Sequence, residues 1–442
     1  MIKLPEQVNK AICLLKNSGF EAYAVGGAVR DCLLGKVPFD WDITTSAHPE
    51  ETEKVFCGER IIETGIKHGT VTVIIDGMPL EITTYRIDGD YTDHRHPQTV
   101  SFSDNLRDDL SRRDFTINTL CCNCDDKIID AFGGKDDLKN KIIRCVGDPD
   151  TRFSEDALRI MRAVRFSAEL GFKIEKNTSD SILKNRQLLS DVSKERLQVE
   201  FTKLITGKYA TGVIRKYHAV IEVFIPELAP LVECEQHTKY HKYDVFEHTL
   251  HAVDAIDFND RILRLTMFFH DFGKPDAKTT DENGTSHFKG HAVISEKKTR
   301  DILKRLKFDN NTINEVSKLV LIHDMKSPRD KIQAKKMMCS LGDETYLNLI
   351  KIKRADNMAK ADPHAIDEKL KNMRSFYEEI KINNECYNLK SLAVNGDDIK
   401  AFGIAEGKEI KSSLDFLLNG VIEGKCQNRK DVLLEYLKEN TK

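Results

Sequence analysis

No run of about 18 consecutive apolar residues occurs in the 442-residue chain, so no membrane-spanning helix is expected. The opening segment, MIKLPEQVNK, lacks an apolar signal core, which argues against export by that route. The eleven cysteines are odd in number and scattered, unlike a disulfide framework, and point to a reducing cytoplasm. There is no basic excess: 68 Lys and Arg face 71 Asp and Glu, for a net charge of −3. A nucleic-acid partner would have to be met by a local basic patch rather than by the molecule as a whole. Repeats and low-complexity linkers are missing too. What is present is the composition of a globular protein of about three domains, 40% hydrophobic and 31% charged, too apolar for disorder.

The texture changes near Gly147. Before it, the short β-branched runs EAYAVGG, DWDITT, HGTVTVIIDG, PLEITTYR and KIIRCVGD read as strands, with helical patterns at 5–18, 27–35 and 111–120 between them. This is a mixed α/β domain. Beyond Gly147 nearly everything has helical periodicity. SEDALRIMRAVRFSAEL sets Leu158, Met161, Val164 and Ala168 on one stripe, with Arg159, Arg162 and Arg165 beside it. Most histidines fall between about 230 and 360, and the last 80 residues are helical and rich in Lys and Glu.

Chemistry concentrates first in VGGAVRDCLLG. Gly26 and Gly27 allow close approach of a ligand, the following helix start offers free N–H groups to a phosphate, and Arg30 lies one turn in. Next comes Asp40-Trp41-Asp42 in a strand-like run, where alternation aims both carboxylates the same way. Two such charges repel unless a cation sits between them, and Mg²⁺ suits one or two carboxylates plus substrate phosphates. Glu81 is a candidate third carboxylate from a neighbouring strand. Further on, Ser111 as an N-cap with Asp114 three residues later reads as a helix start. Asp156 and Arg159, at i and i+3, are expected to be neighbours on one helix.

AVGGAVRDCLLG, DWDITT, DDLSRRDFTINTL, DAFGGKDDL and GDPDTRFSEDALRIMRAVRFSAELGF occur in an order that resembles the class II tRNA nucleotidyltransferases and their poly(A) polymerase relatives, over residues 22 to about 172. The resemblance implies a nucleotidyltransferase head at 1–147 and a helical, base- and RNA-binding neck at 148–228, with Gly147-Asp148-Pro149 as the hinge. It implies that Asp40 and Asp42 are catalytic and hold Mg²⁺, that Arg113 contacts the nucleotide, and that Asp114 reads the ribose. It makes Asp156 and Arg159 a protein template for the base. The chemistry agrees: cytosine and adenine both present an amine donor beside a ring-nitrogen acceptor, which one carboxylate and one guanidinium satisfy. Guanine and uracil present the opposite pattern and would leave buried groups unpaired. Arg162 and Arg165 would hold the triphosphate. Residues 84–102 resemble the family's flexible loop, with Arg86, Asp88, Tyr91, Asp93, Arg95 and Pro97 in place, which favours full CCA addition with CTP and ATP over CC addition alone.

A second series is His248, His270-Asp271, His291, His323 and Asp356. In this order it resembles the HD phosphohydrolases, which implies a metal-dependent domain at 229–360 followed by a helical tail at 361–442 in contact with tRNA. Imidazoles and carboxylates on adjacent helices suit a divalent metal that activates water. The expected assignment is His248, His270, Asp271 and Asp356 to one ion, and His291 and His323 to a second. His237, His241, His251 and His287 are left as structural or substrate-facing. Cys121, Cys122 and Cys124 lack a second pair at metal-binding spacing and are read as free thiols in the head's core. The expected activity is CCA addition in the cytoplasm. A poly(A) polymerase, a partial CC- or A-adding enzyme, a phosphohydrolase with an RNA-binding head, and an RNA chaperone are the rivals.

Overall fold

The β-branched runs of the first 130 residues form one sheet. Its strands are β1 (Ala22–Val25), β2 (Asp42–Thr45), β3 (Arg60–Ile62), β4 (Thr70–Ile75) and β5 (Met78–Thr84). After the separate hairpin of β6 (Arg86–Asp88) and β7 (Val100–Phe102) come β8 (Cys121–Cys122) and β9 (Ile128–Ile129). The sheet order is β3-β4-β5-β2-β1-β8-β9. Only β2 and β5 run parallel, with Asp42 beside Glu81. This computed structural model describes residues 3–440 except 64, 67–68, 90–99, 126, 239 and 405–406. The chain divides into two units, Met1–Ala229 and Pro230–Lys442.

In the first unit α1 (Glu6–Asn17) buries Val8, Ala11, Ile12 and Leu15, the i, i+3, i+4, i+7 spacing of one helix face. That face joins Ala24, Ile43, Val73 and Ile82 of the sheet in one apolar cluster with Trp41. Then follow α2 (Gly27–Leu33), α3 (Pro49–Val55), α4 (Leu106–Ser111), α5 (Gly134–Asn140), α6 (Pro149–Glu155), α7 (Leu158–Leu170), α8 (Lys176–Asn185), α9 (Lys194–Ile205) and α10 (Ala210–Ile221). Between α5 and α8 lie two short strands, β10 (Ile142–Ile143) and β11 (Lys173–Ile174), which pair in parallel. KIIRCVGD is therefore a strand, but outside the large sheet.

Two local expectations fail. Residues 111–120 are not one helix: α4 starts earlier, because the Asn105 side chain accepts from the Arg107 N–H at 2.9 Å and caps it. Ser111 is therefore the last residue of α4 rather than a cap, and Phe115 beyond it is extended and bridges Cys145. Nor do residues 154–170 form a continuous helix. The chain is extended at Asp156 (φ −135°, ψ 101°), which separates α6 from α7.

The second unit contains α11 (Val245–Asp254), α12 (Arg261–Phe269), α13 (Lys274–Ala277), α14 (His291–Arg305), α15 (Asn310–Ile322), α16 (Lys331–Leu341), α17 (Asp343–Met358) and α18 (Asp367–Ile382), followed by a small helical cluster around Leu417, Leu433 and Leu437. The mixed α/β region followed by helices is the architecture expected from sequence. Among the described residues, no helix is long and apolar enough to cross a membrane.

Candidate active site and metal centre

The glycine turn sits directly on the paired carboxylates. Gly26 has φ +81°, and a methyl group there would stand 3.4 Å from Arg113 Nη1 and 3.6 Å from Asp42 Oδ2. Only glycine combines that backbone with that approach. Asp42 opens β2, while Asp40 lies just before the strand and is exposed. They still interact. Burial, reinforced by Glu81 and Asp40 and opposed by Arg113, pushes the Asp42 carboxyl up to about 6. A half-buried carboxylate with Glu81 and Asp40 near enough to raise it has the chemistry of a divalent-cation ligand.

Arg113 is held by a residue the sequence reading passed over. Asp109 is fully buried and accepts from Thr44 Oγ1 at 3.0 Å, from Arg112 Nε at 3.0 Å and from Arg113 Nη2 at 3.2 Å. Burial opposes its charge, but Arg113, Arg112 and Thr44 outweigh that and keep it ionised. Thr44 is the third residue of β2, so the strand that carries Asp42 also fixes the anchor of Arg113. The spacing of Asp109 and Arg113, i and i+4 on a helix, was the available signal.

Asp114 is buried in a second network. It accepts from Asn118 Nδ2 at 2.9 Å and from Arg162 Nε and Nη2 at 2.8 and 2.7 Å. Burial acts against ionisation, yet Arg162, Asn118 and Arg159 hold the carboxyl at about 2. Asn118 Oδ1 in turn accepts from Arg30 at 2.8 Å. Arg30, Arg162 and Arg165 all lie over the Phe166 ring, at 4.9, 5.4 and 3.9 Å from its centroid. Arg165 is buried and pairs with Glu200 and Glu169, while Arg162 keeps a third of its side chain in solvent.

Asp156 and Arg159 are not neighbours on one helix, because the break at Asp156 redirects both. Asp156 caps α7 through the Leu158 N–H (3.1 Å) and pairs with Arg196 Nη2 (2.8 Å). Arg159 donates to Glu155 (2.6 Å) and to the carbonyl oxygens of Arg112 and Arg152. Arg196, from α9, was missed because nothing local in the sequence links it to Asp156 forty residues away. Gly147-Asp148-Pro149 starts α6: the Asp148 carboxylate accepts from the Thr151 N–H at 2.8 Å. In the 84–102 loop, Tyr91, Asp93, Arg95 and Pro97 lie outside the described residues. Cys121 and Cys122 are fully buried in β8, Cys124 is half-buried, and burial pushes the Cys121 thiol up to about 12.

In the second unit the ordered histidines come together. His248 on α11, His270 and Asp271 at the end of α12, His291 at the start of α14, His323 at the end of α15 and Asp356 on α17 line one polar centre. Asp271 is shared. His248 and His270 Nε2 lie 3.4 and 3.1 Å from its Oδ2, and His291 and His323 Nε2 lie 3.4 and 3.9 Å from its Oδ1. His248 Nε2 is 3.0 Å from Asp356, and His291 and His323 Nε2 are 3.1 Å apart. His248, His270 and His323 turn their Nδ1 atoms to the backbone carbonyls of Ala359, Met267 and Val320, so their Nε2 atoms face inward. Burial, then His270, lowers His323 to about 3, a neutral imidazole free to ligate. Neither oxygen of buried Asp271 accepts a hydrogen bond, although Lys274 Nζ lies 2.7 Å from Oδ2. A buried carboxylate among four imidazoles fits a divalent metal. A cavity of about 300 Å³ opens onto it, lined also by His241, Phe288, Lys289 and Lys360. Of the other histidines, His251 stacks on Tyr243 and His287 pairs with Asp281 on the surface.

Comparison with known proteins bears on both units. A family model for the poly(A) polymerase head domain matches residues 22–144. One described as "Probable RNA and SrmB- binding site of polymerase A" matches 171–231. A third, tRNA nucleotidyltransferase domain 2, matches 279–437. The CCA-adding enzyme of Lactobacillus helveticus is 33% identical over 99% of this chain and 98% of its own. That of Geobacillus kaustophilus is 34% identical over 99% and 97%. Among solved structures, the CCA-adding enzyme of Bacillus stearothermophilus in complex with CTP superposes with a TM-score of 0.68 at 30% identity, covering 98% of this chain and 96% of that one. The Thermotoga maritima enzyme complexed with tRNA shares the fold, with a TM-score of 0.64 at 21% identity over 100% and 97%. Similarity of this extent, spanning both units, means that the chain belongs to the CCA-adding enzymes, a family of tRNA nucleotidyltransferases.

Proposed function

We propose that this protein adds C, C and A to the 3′ end of tRNA from CTP and ATP without a nucleic-acid template. The half-buried Asp42 carboxylate, beside Glu81 of the neighbouring strand and lying with Arg113 under the Gly26 turn, carries this reading. The finer division is a head at 1–147, a neck at 148–228, a metal-dependent domain at 229–360 and a tail at 361–442. The reaction is in-line phosphoryl transfer: the RNA 3′-hydroxyl oxygen bonds to the α-phosphorus as the bond to pyrophosphate breaks. Asp40 and Asp42 would hold Mg²⁺, whose charge offsets that on the attacking and leaving oxygens.

The chain's own residues supply the rest. Gly26 and Gly27 bring backbone within reach of the phosphates, Arg113 reaches the nucleotide from its Asp109 anchor, and Asp114 accepts from the ribose hydroxyls. Asp156 and Arg159 select the base, which requires Asp156 to exchange Arg196 for the incoming nucleotide. Arg30, Arg162 and Arg165 supply the positive field around Phe166.

The second site favours a second activity, metal-dependent hydrolysis of a phosphate ester. His248, His270, Asp271 and Asp356 would hold one divalent ion and His291 and His323 another. The position of Asp271 between the two histidine pairs supports this. Assaying Asp42→Ala and Asp271→Asn side by side tests both readings. The first variant should lose nucleotide addition and keep hydrolysis, and the second should do the reverse. Loss of both activities in one folded variant would contradict two independent sites.

A further inference from the structure

The far end of α7 carries a cavity that the reaction does not use. Gly171 ends the helix with φ +70°, and the Tyr209 ring lies across it so closely that a methyl group on Gly171 would stand 2.6 Å from the ring. Beside it opens a cavity of about 420 Å³, bounded by Phe172, Ile174, Val213 and Tyr217. Tyr217 sits at a kink inside α10 and is buried, its hydroxyl bonded to Ser179 at 2.8 Å, so this wall is fixed. Tyr209 is different: it is 47% exposed and offers an aromatic face to solvent.

The charge around the opening has one sign. Lys173 and Lys216 line it, and Lys208 Nζ lies 5.8 Å from the Tyr209 ring. All three lysines are exposed and have no carboxylate partner among the described residues. The neighbouring acids are taken. Glu169 pairs with Arg165, Glu175 lies 3.7 Å from Arg144, Asp180 pairs with Lys176 and Glu222 with His218. An acidic chain balance thus leaves a local cationic rim around an apolar, aromatic cavity. That combination suits single-stranded nucleic acid, in which every base has a face to stack and every linkage a charge.

We propose that this cavity receives an unpaired nucleotide of the tRNA, its base stacked on Tyr209 and its flanking phosphates met by Lys173, Lys208 and Lys216. The proposal rests on the reading that tRNA is the substrate. The site lies at the opposite end of α7 from Asp156, about 20 Å away at 1.5 Å per residue. It therefore anchors the RNA at a distance from the reacting 3′ end, and its contribution belongs to RNA affinity.

The test is tRNA binding by the full-length protein, with a transcript lacking CCA, across a range of KCl concentrations. Tyr209→Ala should weaken binding at least about fivefold, the low end for loss of one aromatic stacking partner. Tyr209→Phe should restore it. Lys173→Ala with Lys216→Ala should lower the slope of log K against log salt by about 1 to 2. Thermal melting checks that each variant folds. If wild type binds and extends tRNA but these variants bind with its affinity and slope, the proposal is overturned and the proposed function stands. If wild type neither binds nor extends tRNA, the reading beneath it fails as well.

Discussion

Asp114 and Arg162 form a two-point ion pair, with the carboxylate accepting from Nε at 2.8 Å and from Nη2 at 2.7 Å. It ties the segment after α4 to α7, and so fixes the carboxylate proposed to read the ribose beside the helix proposed to read the base. A carboxyl depressed from about 3.9 in the unfolded chain to about 2 in the folded one contributes stability above pH 4, and that stability is lost as pH falls toward 2. Its size is roughly 2 kcal/mol. Arg162→Ala leaves Asp114 buried without that partner. It should lower stability at pH 7 by about 1–3 kcal/mol and flatten the loss between pH 4 and 2. Urea denaturation at pH 7 and pH 3 measures both.

Asp109 is the strongest candidate for a residue that acts through another. Asp109→Ala strands two guanidiniums and should cost about 3–5 kcal/mol. Asp109→Asn keeps the shape and the bond to Thr44 but loosens Arg113. Its KM for CTP should rise about 10- to 100-fold with a smaller change in kcat. Equal KM values for the variant and wild type would separate Asp109 from nucleotide binding.

Asp42→Asn removes the half-buried carboxylate proposed to hold Mg²⁺ and should lower nucleotide addition by more than about 100-fold, beyond the loss typical of an outer-sphere partner. The fold should survive, because mutual repulsion among Asp42, Glu81 and Asp40 falls. Single-turnover kinetics and a thermal melt together check the two halves of this statement.

In the second unit, isothermal titration with Mn²⁺ should show two ions at the histidine centre in addition to any held by Asp40 and Asp42 of the head. Asp271→Asn should lose the tighter phase, because Asp271 faces both histidine pairs. Removal of metal by a chelator should abolish hydrolysis of a phosphomonoester. Unchanged binding in Asp271→Asn would contradict a shared ligand.

Much of this was legible in the sequence, for identifiable reasons. β1, β2, β4 and β5 follow from β-branched alternation, and the ordered histidine and aspartate series of the second unit does come together in space. The break at Asp156 was not legible. The helical pattern of 154–170 runs through it, and the Asp156 side chain at the break accepts from the Leu158 N–H and pairs with Arg196 on another helix. The Ser111 cap was misread because Asn105, six residues earlier, captures the helix start first. Asp109 was overlooked among several acids of DDLSRRD, because only its burial against Thr44 distinguishes it from Asp108.

The claim that Asp156 helps read the base has its own consequence. A site that rejects a base by leaving buried groups unpaired discriminates strongly, so Asp156→Ala should admit GTP or UTP and reduce discrimination at least about 100-fold. Competition between CTP and UTP on one tRNA measures it. Arg196→Ala should retain the selectivity, because in the proposed exchange Asp156 leaves Arg196 before it reads the base.

The central claim is CCA addition, and its most direct test uses a tRNA transcript lacking its 3′ CCA, with Mg²⁺ and CTP and ATP supplied singly and together. The account predicts two C additions with CTP alone, and C, C and A followed by a stop with both. Arrest after CC, a long A tract, or no extension by folded protein would contradict it.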